Sequence, residues 1–309
     1  MARAVHIAGR GLASSLGPDL SSALRALTAP PPLPARLRGA AIGEPGWPFR
    51  AIDAPLAPGP DAWLERARQL VLAVVAESGR LLSADAPLFV ATSSLDVGAI
   101  EAAALLPTGL GLLDPQCLAG VAAATAAGGG PASNVSPSDA IHAEPEAVHL
   151  AESLQHFAQL VAGWLGWTGP VVLINTACTS AINALLSAQA WLTNGRADEA
   201  LVLGIELANR LAPAGFSAMQ LLAPEQALPL AAERQGIVLG EAVAALRLSV
   251  APAGWRLAGG ANVVDGANPT GCSASAVAAM VELALASASI ETADLDLIKL
   301  QAAGSPGND

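Results

Sequence analysis

One of the three cysteines, Cys178, lies where a nucleophile is expected. It follows the apolar run Val171–Ile174, which predicts a buried strand, and it precedes an Ala- and Leu-rich segment that predicts a helix. At such a strand-to-helix turn, free backbone N–H groups and the positive end of the helix dipole stabilise a thiolate, the nucleophilic form of cysteine. The alternative is a small buried thiol in the core, so the surrounding elements and motifs have to distinguish the two.

The elements around this cysteine alternate between strands and helices, which predicts a layered α/β fold. Residues 9–14 half-match a dinucleotide-binding fingerprint but lack its third glycine, and we interpret them as a turn. Residues 28–60 are rich in Pro, Gly and Arg and predict a long surface loop. The helix at 63–82 is predicted to carry Glu65 and Arg66 on its polar side. Predicted strands cover residues 5–8, 87–92, 171–174, 200–205 and 242–250, and the other predicted helices cover 20–27, 149–165 and 178–193.

Composition excludes several classes of function. The 309 residues carry a net charge of −11, so neither nucleic acid nor an anionic membrane is an expected partner. Gly, Pro and polar residues interrupt every apolar stretch, so no membrane span is predicted. The N-terminus shows no signal-peptide pattern, and Cys117, Cys178 and Cys272 have no metal-ligand spacing. We therefore expect a cytoplasmic protein without a bound metal or cofactor.

Four motifs, in order along the chain, carry a resemblance to a known family. Residues 175–184 resemble the nucleophile motif of the β-ketoacyl synthases, which are condensing enzymes of the thiolase superfamily. Residues 195–204 (GRADEALVLG), 215–219 (GFSAM) and 233–241 (ERQGIVLGE) resemble three later motifs of the same family. Four matches in the right order around a strand-turn-helix cysteine are far more specific than one, and the likeness covers nearly the whole chain.

The resemblance implies a thiolase-like layered αβαβα fold and roles for particular residues. Cys178 would attack an acyl thioester, and the bound acyl group would then condense with a decarboxylated malonyl thioester. Phe216 and Thr179 would contact the substrate, with Phe216 at the gate of the acyl pocket. The implied partners are acyl carrier protein thioesters and a second ketosynthase subunit, in either a homodimer or a heterodimer.

The C-terminal segment departs from the family pattern. Residues 296–309 align without gaps with the family's first histidine motif, but Gln301 occupies the position of that histidine. A neutral amide can donate a hydrogen bond to a carbonyl, but it cannot titrate near neutral pH as imidazole does. The sequence also ends at Asp309, before the family's second histidine. We therefore expect impaired condensation, a complete N-terminal half at residues 1–250, and a truncated C-terminal half at 251–309 in which residues 295–305 form a strand and turn.

Three functions are consistent with these motifs. The first is a β-ketoacyl synthase-like protein of fatty acid or polyketide biosynthesis that loads acyl groups on Cys178. The second is a non-catalytic partner of the chain-length-factor type, which Gln301 favours and the retained cysteine disfavours. The third is a thiolase-fold acyltransferase that uses Cys178 without any decarboxylation.

Overall fold

The computed structural model describes residues 3–30, 33–37, 46–54, 62–79, 83, 85–93, 154–266, 271, 273–307 and 309. Within these residues, strands and helices alternate for most of the chain. The strands are β1 (Val5–Ser14), β2 (Ala35–Leu37), β3 (Trp47–Arg50), β4 (Leu88–Ala91), β5 (Val171–Ile174), β6 (Glu199–Glu206), β7 (Leu239–Gly240), β8 (Ala242–Ser249) and β9 (Trp255–Leu257). The α-helices are α1 (Leu20–Ala26), α2 (Ala62–Ser78), α3 (Leu154–Trp164), α4 (Ser180–Thr193), α5 (Leu211–Ala218) and α6 (Ala274–Ala288), and a 3-10 helix follows at Thr292–Asp294.

Six of these strands form one mixed sheet in the order β5-β4-β6-β8-β1-β9, and β2, β3 and β7 form a smaller one. Strand β4 is parallel to both β5 and β6, whereas β8 runs antiparallel to β6 and to β1. The carboxyl ends of β4, β5 and β6 therefore meet at one edge of the sheet. In α/β proteins this edge is the usual place for a ligand site.

Helices cover both faces of the large sheet. Successive residues of a strand point to opposite sides, so one strand contributes side chains to two cores. In β4, Leu88 and Val90 belong to a core shared with α2 and α3, whereas Phe89 and Ala91 belong to a second core shared with α4. This layered arrangement confirms the predicted α/β fold class. No helix among the described residues is long and apolar enough to span a membrane.

The first strand is longer than predicted. Strand β1 continues through residues 9–14, so the interpretation of this segment as a turn is wrong. A Cβ atom on Gly9 would lie 1.7 Å from the carbonyl oxygen of Ser78, and one on Gly11 would lie 2.0 Å from that of Val74. The two glycines therefore allow helix α2 to pack closely on β1, and that close approach accounts for their presence.

Two other segments also differ from the prediction. Residues 28–60, predicted as a loop, contain the strands β2 and β3. The predicted strand at 295–305 is wrong, because these residues have no regular secondary structure and Leu297 is 84% exposed. A strand needs a neighbouring strand to satisfy its backbone groups, and the described residues provide none at this place.

The remaining predicted elements are present with small shifts of their ends. The predicted helices at 63–82 and 149–165 correspond to α2 and α3, although residues 80–82 and 149–153 lie outside the described residues. The predicted division of the chain at residue 250 stays a prediction. Strand β9, which follows that point, pairs with β1 in the large sheet.

Candidate active site

The turn between β5 and α4 presents Cys178 just before the amino end of α4. Its preceding residue, Ala177, has a φ of 53°, a left-handed conformation that non-glycine residues rarely adopt. The Cys178 side chain is exposed and its thiol is free. Because α4 begins at Ser180, two residues after Cys178, the positive end of its dipole lies next to the turn that carries the thiol. The strand, turn and helix predicted around Cys178 are all present, and its role as a nucleophile stays a prediction.

Side-chain hydrogen bonds hold the conformation of this turn. The Ser180 hydroxyl accepts from the backbone N–H of Thr176 at 2.9 Å and donates to the carbonyl of Ala177 at 2.6 Å. The Thr179 hydroxyl donates to the carbonyl of Thr176 at 2.8 Å, and the amide of Asn183 donates to the Thr176 hydroxyl at 2.7 Å. These bonds connect both ends of the turn, so the left-handed residue is held by its surroundings.

Cys178 lines a cleft of about 380 Å³ at the carboxyl ends of β4, β5 and β6. Phe216, from helix α5, lines the same cleft. Most of the wall is apolar, and many of its side chains are small, so they leave the space open rather than filling it. The apolar part of the wall is completed by Phe49, Ala91, Ala177, Ala181, Gly204, Ile205, Leu207, Ala212, Pro213, Leu239, Gly240, Ala242 and Ala244.

A few polar groups interrupt this apolar wall. The Ser93 hydroxyl donates to Oε2 of Glu206 at 2.7 Å. The Asn209 side chain accepts from the backbone N–H of Ala212 at 2.9 Å and so caps the first turn of α5. A mostly apolar cleft with few polar groups is typical of a pocket for a largely apolar ligand.

A buried ion pair lies next to the wall of the cleft. Glu241 directly precedes β8, whose first residue lines the cleft. Its two carboxylate oxygens each lie 2.8 Å from a guanidinium nitrogen of Arg66, and the two side chains are 0% and 2% exposed. The carboxylate also accepts from the backbone N–H groups of Ile52 at 2.8 Å and Ala208 at 2.9 Å. The prediction that Arg66 lies on the polar side of α2 is therefore wrong, because Glu241 neutralises its charge inside the protein.

Gln301 and Thr179 do not line the cleft. Gln301 is exposed, in a segment without regular secondary structure, and the loop after it folds back onto residues 228–236. The Thr179 hydroxyl donates to the carbonyl of Thr176 within the turn between β5 and α4. Of the four residues singled out from the sequence, the fold thus brings Cys178 and Phe216 together, and the roles of all four stay predictions.

Sequence reasoning missed three residues at this site. Thr92 directly follows β4 and Glu206 is the last residue of β6, so both lie at the edge where carboxyl ends meet, and that position is a usable signal. Arg66 had no such signal, because its burial depends on a partner 175 residues away in the chain.

Asp309 holds the loop that follows Gln301. Its carboxylate accepts from the backbone N–H groups of Leu230 at 3.3 Å, Ala303 at 3.0 Å and Gly304 at 2.6 Å. Its own carbonyl oxygen accepts from the guanidinium of Arg234 at 3.2 Å. Loss of hydration opposes ionisation of this carboxyl, but the three N–H donors and the Arg234 charge outweigh it and hold its pKa below the ordinary value of 3.8.

This lowered pKa predicts a pH-dependent loop. Since the pKa of Asp309 is lower in the folded chain than in the unfolded chain, its contacts are fully formed above pH 3.8 and are lost as the pH falls through the folded value. Hydrogen exchange at the Ala303 and Gly304 amides should show protection at pH 5 that disappears at lower pH. Asp309→Asn should lose that protection already at pH 5, and unchanged protection in this variant would contradict the assignment.

A family model described as "Beta-ketoacyl synthase, N-terminal domain" matches residues 97–252, about half of the chain. Among individual proteins, the chain is similar to Nodulation protein E of Rhizobium sp. (strain N33), with 31% identity over 161 residues. That match covers 47% of this chain and 38% of the relative, so the chain spans less than two fifths of the relative's length.

Solved structures extend the likeness to the whole fold. A ketosynthase in complex with its chain length factor from Xenorhabdus doucetiae matches 99% of this chain and 73% of that chain, with a TM-score of 0.71 and 22% identity. A type II PKS acyl-carrier protein in complex with its ketosynthase, bound to the hexaketide, matches 100% of this chain and 76% of that chain, with a TM-score of 0.73 and 20% identity. At such identities the match establishes the fold alone.

Proposed function

Because this chain belongs to the β-ketoacyl synthase family, we propose that it accepts acyl groups from acyl carrier protein thioesters on Cys178. The chain has the thiolase-like α/β fold of ketosynthases. In the proposed step, the Cys178 thiolate attacks the thioester carbonyl, a new thioester to Cys178 forms, and the carrier thiolate leaves and takes up the proton that Cys178 released. The step needs a free thiol, which a reducing cytoplasm would preserve.

One observation supports this proposal most directly: Cys178 and Phe216 line the same mostly apolar cleft. An acyl chain placed there would gain roughly 0.8 kcal/mol for each CH₂ group removed from water. The small side chains along the wall leave room for it, and the bulky ring of Phe216 would limit access. The backbone N–H of Cys178, at the start of the α4 turn, would donate to the carbonyl oxygen as negative charge develops on it.

Condensation after loading is proposed to be weak. The family histidine that stabilises the thioester enolate is replaced by Gln301, whose amide can donate one hydrogen bond but carries no charge. Gln301 is also exposed and lies outside the wall of the cleft. Acyl transfer to Cys178 would not require this residue, because the Cys178 thiolate and the backbone N–H of Cys178 would perform it.

A second candidate is a partner subunit of the chain-length-factor type. It is favoured by Gln301 and by the likeness to a ketosynthase in complex with its chain length factor. In this role the chain would form a heterodimer with an active ketosynthase and would shape the acyl pocket without being acylated. An acyltransferase on the same fold is the third candidate, and it would pass the acyl group from Cys178 to another acceptor. The acyl chains that the cleft accepts would decide whether the protein acts in fatty acid or in polyketide biosynthesis.

Intact-mass measurement after incubation with octanoyl-acyl carrier protein tests these candidates. We expect one octanoyl adduct on the wild-type chain and none on Cys178→Ala, the matched control that retains Cys117 and Cys272. With malonyl-acyl carrier protein added, we expect no 3-oxodecanoyl product. That product from the chain alone would contradict impaired condensation. Absence of any adduct would overturn the loading proposal in favour of the partner subunit.

A further inference from the structure

The hydroxyl of Thr92 is a buried polar group without a partner. Thr92 follows β4, is 2% exposed and lines the cleft that contains Cys178. Among the described residues its Oγ1 atom makes no hydrogen bond. Its backbone N–H, by contrast, donates to the carbonyl of Ile174. A buried hydroxyl without a partner carries a free-energy penalty, so the group calls for an explanation.

The other hydroxyls of the cleft wall have their hydrogen bonds within the protein. The Ser93 hydroxyl donates to Glu206, and the Ser180 hydroxyl both accepts from Thr176 and donates to Ala177. Within the described part of the cleft wall, Thr92 thus differs from its neighbours in having its hydrogen-bonding capacity unused. Valine has nearly the same shape as threonine and would line an apolar wall without an unpaired buried hydroxyl.

We propose that Thr92 is a specificity-determining residue whose hydroxyl binds an oxygen on the acyl chain. The ligand class is therefore an oxygenated acyl thioester, one that carries a keto or hydroxyl group, in preference to a saturated chain of the same length. This inference rests on the proposed function, since it assumes that the acyl group occupies the cleft. Because Thr92 lines the cleft, a hydrogen bond between its hydroxyl and a ligand oxygen replaces the missing protein partner.

The size of the preference follows from the strength of one neutral hydrogen bond. Such a bond corresponds to about a 3- to 10-fold difference in affinity between a ligand that makes it and one that does not. The Ser93 and Ser180 hydroxyls of the wall already donate within the protein, so the Thr92 hydroxyl is the expected source of this difference.

Binding is best measured on the Cys178→Ala background, where no acyl transfer interferes. The probes are octanoyl-pantetheine and its derivatives with one oxo group at C3, C5 or C7. We expect at least one oxo derivative to have a Kd about 3- to 10-fold lower than octanoyl-pantetheine. Adding Thr92→Val should bring the ratio of the two Kd values close to one, whereas Thr92→Ser should preserve it.

Two results would overturn the assignment. One is that no oxo derivative is preferred by the chain that retains Thr92. The other is that Thr92→Val keeps the preference. The Tm of Thr92→Val is the folding control, and it should be unchanged or higher because an unpaired hydroxyl is removed; a lower Tm would mean that the hydroxyl has a structural role instead. The loading proposal is judged separately, by the adduct on the chain that retains Cys178.

Discussion

Replacing Glu241 with glutamine should lower the free energy of unfolding by about 3–5 kcal/mol, because it leaves the buried Arg66 charge without its counterion. The Glu241 carboxylate accepts four hydrogen bonds, two from Arg66 and one each from the Ile52 and Ala208 N–H groups. The NH₂ group of a glutamine side chain is a donor and cannot accept, so it would face donor groups of Arg66 or the backbone without forming a hydrogen bond. Urea denaturation followed by circular dichroism measures the loss as a lower midpoint with an unchanged slope.

Two comparisons distinguish the buried pair from a general effect of removing charge. Glu65→Gln removes the partner of Arg68 on the exposed side of α2 and should change the midpoint far less, since exposed ion pairs contribute little. In a double-mutant cycle, Arg66→Met with Glu241→Gln should cost clearly less than the sum of the two single changes. Strict additivity would contradict a direct coupling between the two side chains.

Replacing Gly9 with alanine should also destabilise the fold, by about 1–3 kcal/mol or more. The added Cβ would lie 1.7 Å from the carbonyl oxygen of Ser78 and 2.8 Å from its carbonyl carbon. These are backbone atoms, so helix α2 must move away from β1, and the core between them must loosen. The Tm measured by differential scanning calorimetry should therefore fall by several degrees.

Gly163→Ala is the matched control for this change. Gly163 lies in helix α3, and a Cβ added there would meet no atom within 4 Å. Alanine in place of glycine inside a helix stabilises by roughly 0.5–1 kcal/mol, so this variant should keep or raise the Tm. Equal destabilisation by the two variants would show that the close approach of α2 to β1 is not what the glycine at position 9 permits.

The sequence and the structure differ most where a side chain depends on distant neighbours. Arg66 belongs to a helix that the periodicity predicted well, yet its burial depends on Glu241, which is 175 residues away. Gly9 comes directly after the strand predicted at residues 5–8 and lies inside β1. From the sequence alone, a pair of glycines at this point is as typical of a turn as of a strand. Only the position of α2 across β1 explains why glycine occupies a strand.

In the candidate site, too, some features depend on residues adjacent in sequence and others depend on the tertiary structure. The strand, turn and helix around Cys178 were predictable, because they depend on a short apolar run, turn residues and a helical pattern that are adjacent in sequence. The family resemblance was predictable for the same reason, since each motif is a contiguous segment. Phe216 and Gln301 were both predicted from the sequence as site residues. In the structure Phe216 lines the cleft, whereas Gln301 lies on an exposed segment outside the cleft wall.

By itself, the sequence determined the α/β class, the family and the local setting of Cys178, because these depend on contiguous patterns of apolar, small and turn-forming residues. The tertiary structure decided the cleft itself, which is assembled from the ends of β4, β5 and β6 and from α5. It also decided that the Thr92 hydroxyl lies buried without a partner in that wall. The physical reason is that burial and hydrogen bonding depend on which segments pack together, and a linear pattern does not state the distances between them.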